Sequence, residues 1–331
     1  MKDGNENEVE KKDKILVTHG TGVYDVTTFA DIHPGGSKYL KAFNKKDITK
    51  AMEGPSHSHG PWAMRWLSEF RVGFAEDYPD FETPKLNLPD NDGFVDWTKP
   101  VLWQVGDLKE RYTQWILTPT DRPLRLFESD FFEYFSNNTW YIVPIFWLPI
   151  VLFFASRCIT GGFSPLETLT LFLFGIGVWT LTEYVLHRFV FHLEPYKSSG
   201  LLSILTDNKF WITFHFIMHG QHHKVPFDKG RLVFPIVPAA IIVYFFRILI
   251  HSLSGPVSGE GLVAGGIFGY VLYDIMHYFT HHGDFAKGSY FDKVRRAHVG
   301  HHFIDPNKTF GISSQFWDGP FGTKRKTAKA D

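Results

Sequence analysis

From residue 140 onward the chain alternates between long apolar runs and polar stretches rich in histidine, whereas residues 1–100 are polar and charged. Four apolar runs stand out: 140–158 (WYIVPIFWLPIVLFFASRC), 166–186 (LETLTLFLFGIGVWTLTEYVL), 232–250 (LVFPIVPAAIIVYFFRILI) and 261–276 (GLVAGGIFGYVLYDIM). A helix that crosses a bilayer needs ~20 residues, which the first three runs approach. The fourth is short, and Glu183 and Arg247 interrupt the apolar pattern, so the reading allows re-entrant or broken helices. The links ITGGFSP and HSLSGPVSGEG join the runs into two hairpins, each returning to the side it left.

The polar front of the chain carries its own pattern. VYDVTTFADIHPGGSKYL runs a short strand into His33-Pro34-Gly35-Gly36 and then a helix with Leu40 and Phe43 on one side. Pro34 fixes the backbone there, and the two glycines let the chain fold closely past a flat ligand. A second histidine source, GPSHSHGPWAMRWL, precedes another helical segment. Two histidines on successive helix-loop elements can clamp a haem iron from both faces; a small α/β domain with a tight turn is the alternative. The stretch 76–93 is acidic and contains several prolines, as a linker does, though a passive surface loop fits it equally. The boundaries drawn are 1–75 for the front domain, 76–122 for a linker and connector, and 123–331 for the membrane domain. Within the last, PLRLFESDFFEYFS at 123–136 reads either as an interfacial segment admitting lipid or as the first helix of the bundle.

Charge narrows the partners. Lys plus Arg number 34 and Asp plus Glu 35, so no overall field draws the chain to nucleic acid. Cys158 is the single cysteine, which excludes an internal disulfide framework and a thiolate metal cage and fits a reducing compartment. MKDGNENEVEKKDKI lacks a signal-type apolar core, so the N-terminus is expected in the cytosol. Two hairpins then put 187–231 and 277–331 on the cytosolic side. These segments carry Arg188, Lys209, Lys224, Lys229, Arg231, Arg295, Arg296 and the run at 324–326, in keeping with the positive-inside tendency.

The same side receives twelve histidines in four groups: HRFVFH, HFIMHGQHH, HYFTHH and HVGHH. The pairs 219/223, 277/281 and 298/302 are four apart and 298/301 three apart, so each set shares a helical face. His187 and His192, five apart, diverge by about 140° on an ideal helix, so one of them belongs at a helix end or a distorted turn. Buried neutral imidazoles cost desolvation energy unless each nitrogen has a partner, and a metal supplies one. His251, alone at a hairpin tip, reads as a capped interfacial side chain. So many imidazoles exceed one ion's coordination and point to two. Nitrogen ligands alone leave iron, copper, nickel and zinc open, although a redox source in the front domain favours dioxygen chemistry.

The residues also carry a resemblance. YDVTTFADIHPGG with its following His-rich loop resembles a cytochrome b5 domain. DWTKPVLWQVGDLKERYTQW, TDRPLRLFESDFFE, HGQHHKVPFDKGRLVFP, YDIMHYFTHHG, RRAHVGHH and FGISSQFWDGPFGT resemble the membrane fatty acid hydroxylase family, in the order of parts of the 2-hydroxylases. The resemblance implies an α+β cytochrome b5-like haem domain ahead of an all-α multi-pass membrane domain, about four spanning helices with a cytosolic histidine-rich helical cap. It implies haem b between His33 and His59, with His57 the alternative to His59. A dinuclear metal site is implied at His187, His192, His219, His222, His223, His277, His281, His298, His301 and His302, with iron expected in the active enzyme and zinc compatible with it. His215 and His282 fall outside that set. Tyr273 and Asp274 match positions near the family's site, in contact with substrate or behind a ligand. The implied activity is a dioxygen-dependent monooxygenation at carbon 2 of a fatty acid or acyl lipid drawn from the bilayer. Electrons would come from an NAD(P)H-dependent cytochrome b5 reductase at the endoplasmic reticulum membrane. The competing readings are a b5-dependent acyl desaturase or sterol oxidase, and a non-catalytic metal-binding membrane protein.

Overall fold

A hairpin opens the described part of the chain: β1 (Leu16–His19) and β2 (Gly22–Asp25) pair in antiparallel register with His19 opposite Gly22. Gly20, at φ 60°, and Thr21 make the two-residue turn between them, a backbone conformation glycine adopts without strain. The computed structural model describes residues 14–33, 36–53, 63, 67–82, 90–197, 199–283, 285–286 and 288–325, and the chain divides into two compact units at 87/88. In the first unit β3 (Arg71–Phe74) adds to β2, and α1 (Thr27–Ala30), α2 (Ser37–Ala42) and α3 (Thr49–Glu53) lie between β2 and β3 in sequence. Alternating Val17, Tyr24 and Val26 bury one face of the sheet against Ala30, Ile48, Met52 and Leu67.

The second unit begins with folded structure from residue 90. The Asp92 carboxylate accepts from the indoles of Trp97 (3.0 Å) and Trp115 (2.9 Å). α4 (Leu102–Val105) and α5 (Tyr112–Ile116) then seal a core in which Leu102, Val105, Tyr112 and Trp115 pack on Ile212, Phe216 and Val225. The stretch named above as connector therefore rests against the segment that carries His215 to His223. α6 (Asp130–Ser136) follows and buries none of its residues; Phe131, Phe132, Tyr134 and Phe135 are exposed along it.

Among the described residues four helices are long and apolar enough to cross a membrane: α7 (Ile142–Thr160), α8 (Pro165–Leu186, continued as a wider turn to Phe191), α12 (Ile236–Ser254) and α13 (Pro256–His282). Between α8 and α12 run the short α9 (Leu201–Thr206), α10 (Lys209–His215) and α11 (Gln221–Lys224), and α14 (Tyr290–Phe303) follows α13. The fourth apolar run is not short. It extends to 27 residues, ~40 Å at 1.5 Å per residue, longer than a ~30 Å hydrocarbon core requires. The expected loop HSLSGPVSGEG shrinks to Gly255 at φ 85°, because Pro256 suits the first turn of a helix and the following small residues pack instead of looping. Neither charge breaks its helix. Glu183 accepts the backbone N–H groups of Ile312 (2.7 Å) and Ser313 (2.8 Å), and Arg247 binds Glu260 at 2.7 Å.

α13 is the central helix, with most of the residues from Gly259 to His281 buried, whereas α12 buries only Ala239. Glycine makes this packing close: a Cβ on Gly265 would stand 1.9 Å from the Phe172 carbonyl oxygen, and one on Gly175 2.3 Å from that of Leu262. Both helix pairs are hairpins, so the C-terminal ends of α8 and α13 finish at the same end of the bundle.

Candidate metal centre

The problem posed by the five-residue spacing is solved in the backbone. Residues His187–Phe191 form a π turn, and the His192 N–H donates to the His187 carbonyl at 3.1 Å. A ring closed five residues apart brings 187 and 192 to one face. A second π turn, Phe216–Gly220, precedes His222 and His223. The remaining imidazoles use ordinary helical spacing at the end of α13 and on α14.

Ten histidines converge. In one group His222, His277, His281, His298 and His302 bring a ligand atom each within 4.8 Å of one another; in the other His187, His192, His219 and His301 do the same. Neighbouring Nε2 atoms are 2.8 Å apart for 277/222 and 281/298, 2.9 Å for 301/192 and 3.1 Å for 302/298. Two metal–imidazole bonds of ~2.0–2.1 Å at a right angle put nitrogens ~2.9 Å apart, so the spacing fits ligands around a cation. His223 lies between the groups, its Nε2 2.9 Å from that of His219 and its ring centroid 4.3 Å from that of His302. Among the described residues His282 stays outside, its ring against Tyr278, and His251 lies 3.5 Å from Glu260 at the other end of the bundle.

The opposite ring nitrogens explain which tautomer is present. Nδ1 of His187 donates to the Phe310 carbonyl at 2.5 Å, Nδ1 of His277 to Leu232 at 3.1 Å, and Nδ1 of His301 to Lys308 at 2.8 Å. With the proton on Nδ1, each Nε2 presents a lone pair inward, the arrangement a metal requires. Nε2 of His187 is buried without a hydrogen-bond partner in the protein. Burial, reinforced by neighbouring imidazoles, holds His192, His219, His222, His298, His301 and His302 well below the usual histidine range, so all are neutral donors near pH 7. The residues thus fit two divalent cations held by nitrogen alone.

Residues beyond the expected ligand set hold this nest in place. His215 takes its Nδ1 contact from Tyr112 Oη at 2.7 Å, and burial lowers its pKa to about 4. Glu183, read from sequence only as an interruption, anchors the segment 310–313, with the Ser313 hydroxyl as a further donor. Asp318 accepts from the N–H groups of Phe310 (2.9 Å) and Gly311 (3.0 Å). No helical periodicity signals these contacts: Tyr112–His215 and Glu183–Ile312 join residues more than a hundred apart, and Asp318 reaches back seven and eight residues across a loop. Asp274 accepts from Phe234 N–H and Tyr270 Oη (3.0 Å), two residues from the Leu232 carbonyl that orients His277. Tyr273 stacks on His277 with centroids 5.9 Å apart and planes 13° apart.

On its other side Tyr273 lines an apolar cavity of about 380 Å³ between α8, α12 and α13, together with Trp179, Phe234, Gly266 and Ile267. In the first unit, His33 sits beside Phe29 and has its Nδ1 3.3 Å from the Gly36 carbonyl. His57 and His59 lie outside the described residues.

Comparison with known proteins agrees with both units. Residues 5–76 match the cytochrome b5-like heme/steroid binding domain, and residues 172–323 match the fatty acid hydroxylase family. The chain is 40% identical to fatty acid 2-hydroxylase of Mus musculus over 93% of its own length and 90% of that protein's. It is 31% identical to the ceramide very long chain fatty acid hydroxylase of Saccharomyces cerevisiae, covering 91% and 88%. A solved structure titled full length scs7p, with only the hydroxylase domain visible, superposes with a TM-score of 0.65 at 30% identity, covering 79% of this chain and 93% of that one. A haem-binding cytochrome b5 domain and a histidine-lined hydroxylase domain are joined here in one chain, which belongs to the fatty acid 2-hydroxylase family.

Proposed function

We propose that this chain inserts one oxygen atom of dioxygen at carbon 2 of a long- or very-long-chain fatty acid, or of the acyl chain of a sphingolipid precursor. The observation that carries the reading is a single side chain with two faces: Tyr273 stacks on His277 within the imidazole nest and also walls the apolar cavity. An acyl chain in that cavity has its head at the histidines and its tail among Phe, Leu, Ile and Val side chains. Names borne by relatives support the substrate class, including dihydroceramide fatty acyl 2-hydroxylase FAH1 of Arabidopsis thaliana, 39% identical over 69% of this chain.

In this reading His222, His277, His281, His298 and His302 hold one metal ion, and His187, His192, His219 and His301 hold the other with His223 between them. Bound there, an iron pair supplies dioxygen activation, and zinc fits the same ligands without redox chemistry. The protein's own part is fixed by its geometry. The carbonyls of Phe310, Leu232 and Lys308 hold the ligand tautomers, and burial excludes water. Asp274 steadies the 232–234 segment, and Tyr273 faces the head of the chain. In the first unit His33 and His59, with His57 the alternative to His59, would hold haem b, which would supply single-electron transfer from an NAD(P)H-dependent cytochrome b5 reductase. The membrane is that of the endoplasmic reticulum, with the histidine end of the bundle on the cytosolic side, where the lysines and arginines lie.

The test is mass spectrometry of total fatty acids from yeast without its own 2-hydroxylase, expressing this chain or its His301→Ala variant. New 2-hydroxy acids from the unaltered chain alone are the expected result. Their absence, with the protein present and its haem reducible, overturns the reading, and new double bonds or altered sterols would assign the chain to a related oxidase.

A further inference from the structure

The glycines of the bundle divide into two kinds. A Cβ on Gly175, Gly265 or Gly269 would meet Leu262 O at 2.3 Å, Phe172 O at 1.9 Å or the Trp179 ring at 2.7 Å, so helix packing demands glycine at each. Gly266 has no such reason: the nearest heavy atom to its Cβ would be Gly175 O at 4.0 Å, an ordinary contact. Yet glycine weakens a helix relative to alanine. What Gly266 does face is the apolar cavity, which it lines.

The cavity's dimensions give that position a meaning. Along α13 its wall runs from Tyr273 to Leu262, and Gly266 lies seven residues below Tyr273, ~10 Å at 1.5 Å per residue. Along α12 the wall runs from Ala239 to Ser254, fifteen residues or ~22 Å. Half of a ~30 Å hydrocarbon core is ~15 Å, so the cavity is deeper than one leaflet. A short chain ends above Gly266, and a very long one has to pass it.

We propose that Gly266 is a specificity-determining residue: the absence of a side chain there keeps the cavity open at mid-depth and admits the saturated tail of very-long-chain substrates. The proposal rests on the reading that this cavity holds the acyl chain. A Cβ at 266 meets nothing nearer than Gly175 O at 4.0 Å, and the residue lines the cavity, so a leucine there is expected to narrow the bore at mid-depth while the histidines above stay as they are.

The experiment expresses the full chain, Gly266→Leu, Gly266→Ala and Gly177→Leu in yeast lacking its own 2-hydroxylase, and measures 2-hydroxy acids by chain length at equal protein amounts. Gly177 is exposed on α8, outside the cavity, with open space at its Cβ. Gly266→Leu is expected to lower the ratio of the longest to the shorter 2-hydroxy acids by about tenfold or more, a filled pocket rejecting what no longer fits. Gly266→Ala shifts the ratio less in the same direction, and supplies the answer if leucine prevents folding. Gly177→Leu leaves the ratio unchanged. An unaltered distribution in both Gly266 variants, or a loss spread evenly over all lengths, overturns the proposal and makes Gly266 a packing residue. If the unaltered chain itself yields no 2-hydroxy acids, the parent reading of the reaction fails, and this one with it.

Discussion

His187 on the second membrane helix and Phe310 near the chain's end are 123 residues apart and joined by one hydrogen bond, Nδ1 to carbonyl oxygen at 2.5 Å. The bond makes the loop after α14 part of the histidine nest. What fixes Phe310 therefore also fixes a ligand-bearing ring.

The first prediction concerns Glu183, whose carboxylate receives Ile312 and Ser313. Glu183→Ala strands the buried N–H of Ile312, at a cost on the order of 1–3 kcal/mol, together with the half-buried N–H of Ser313, and loosens the 310–313 segment. Metal content measured by elemental analysis should fall with stability. Glu183→Gln retains an acceptor oxygen and should lose much less of both.

Tyr112 and Gly220 form a coupled pair at the back of the site. Tyr112→Phe removes the 2.7 Å contact to His215 and should cost about 1–3 kcal/mol by leaving a buried nitrogen unpaired. Gly220→Ala would press a methyl to 2.2 Å from Tyr112 Oη. Removing that oxygen relieves the clash, so thermal unfolding of the double variant should show less damage than the sum of the singles.

Adjacent stretches of the bundle tolerate bulk differently. Gly265→Ala drives a methyl against the Phe172 main chain, which cannot yield, and should separate α8 from α13. Gly177→Ala meets open space and gains helix propensity of up to ~1 kcal/mol. Unfolding temperatures in detergent should fall for the first and hold or rise for the second.

The two cofactor sites should fail independently. His33→Ala is expected to abolish the haem absorbance and leave the metal content of the second unit intact. Chelation of the metal should lower the stability of the membrane unit, which then keeps its buried imidazoles without a cation, and leave the haem spectrum unchanged. A haem spectrum that vanished on chelation would contradict this separation.

Much of this was legible in the sequence, for reasons that differ by element. The shared helical faces of the histidine groups were readable because three- and four-residue spacings state their own geometry, the choice of ten ligands among twelve came from the resemblance, and the 187/192 spacing announced a distortion whose form, a π turn, only the backbone reveals. The span of α13 was underread because Pro256 to Glu260 has the composition of a loop. Hydropathy weighs residues one by one and misses that glycines there let two helices touch. Glu183 looked like an interruption because its partners lie some 130 residues away, beyond any local window.

The two π turns carry a consequence for variation along the chain. Each is in effect a helix with one residue too many. Deleting a single residue between His187 and Phe191 should restore regular winding and leave a helix that is locally sounder. His187 and His192 would then stand four apart, a spacing that keeps both rings on one helical face, whereas rewinding the turn without the deletion would set them about 140° apart. The five-residue spacing and the wide turn therefore belong together, and changing one without the other is what separates the two rings.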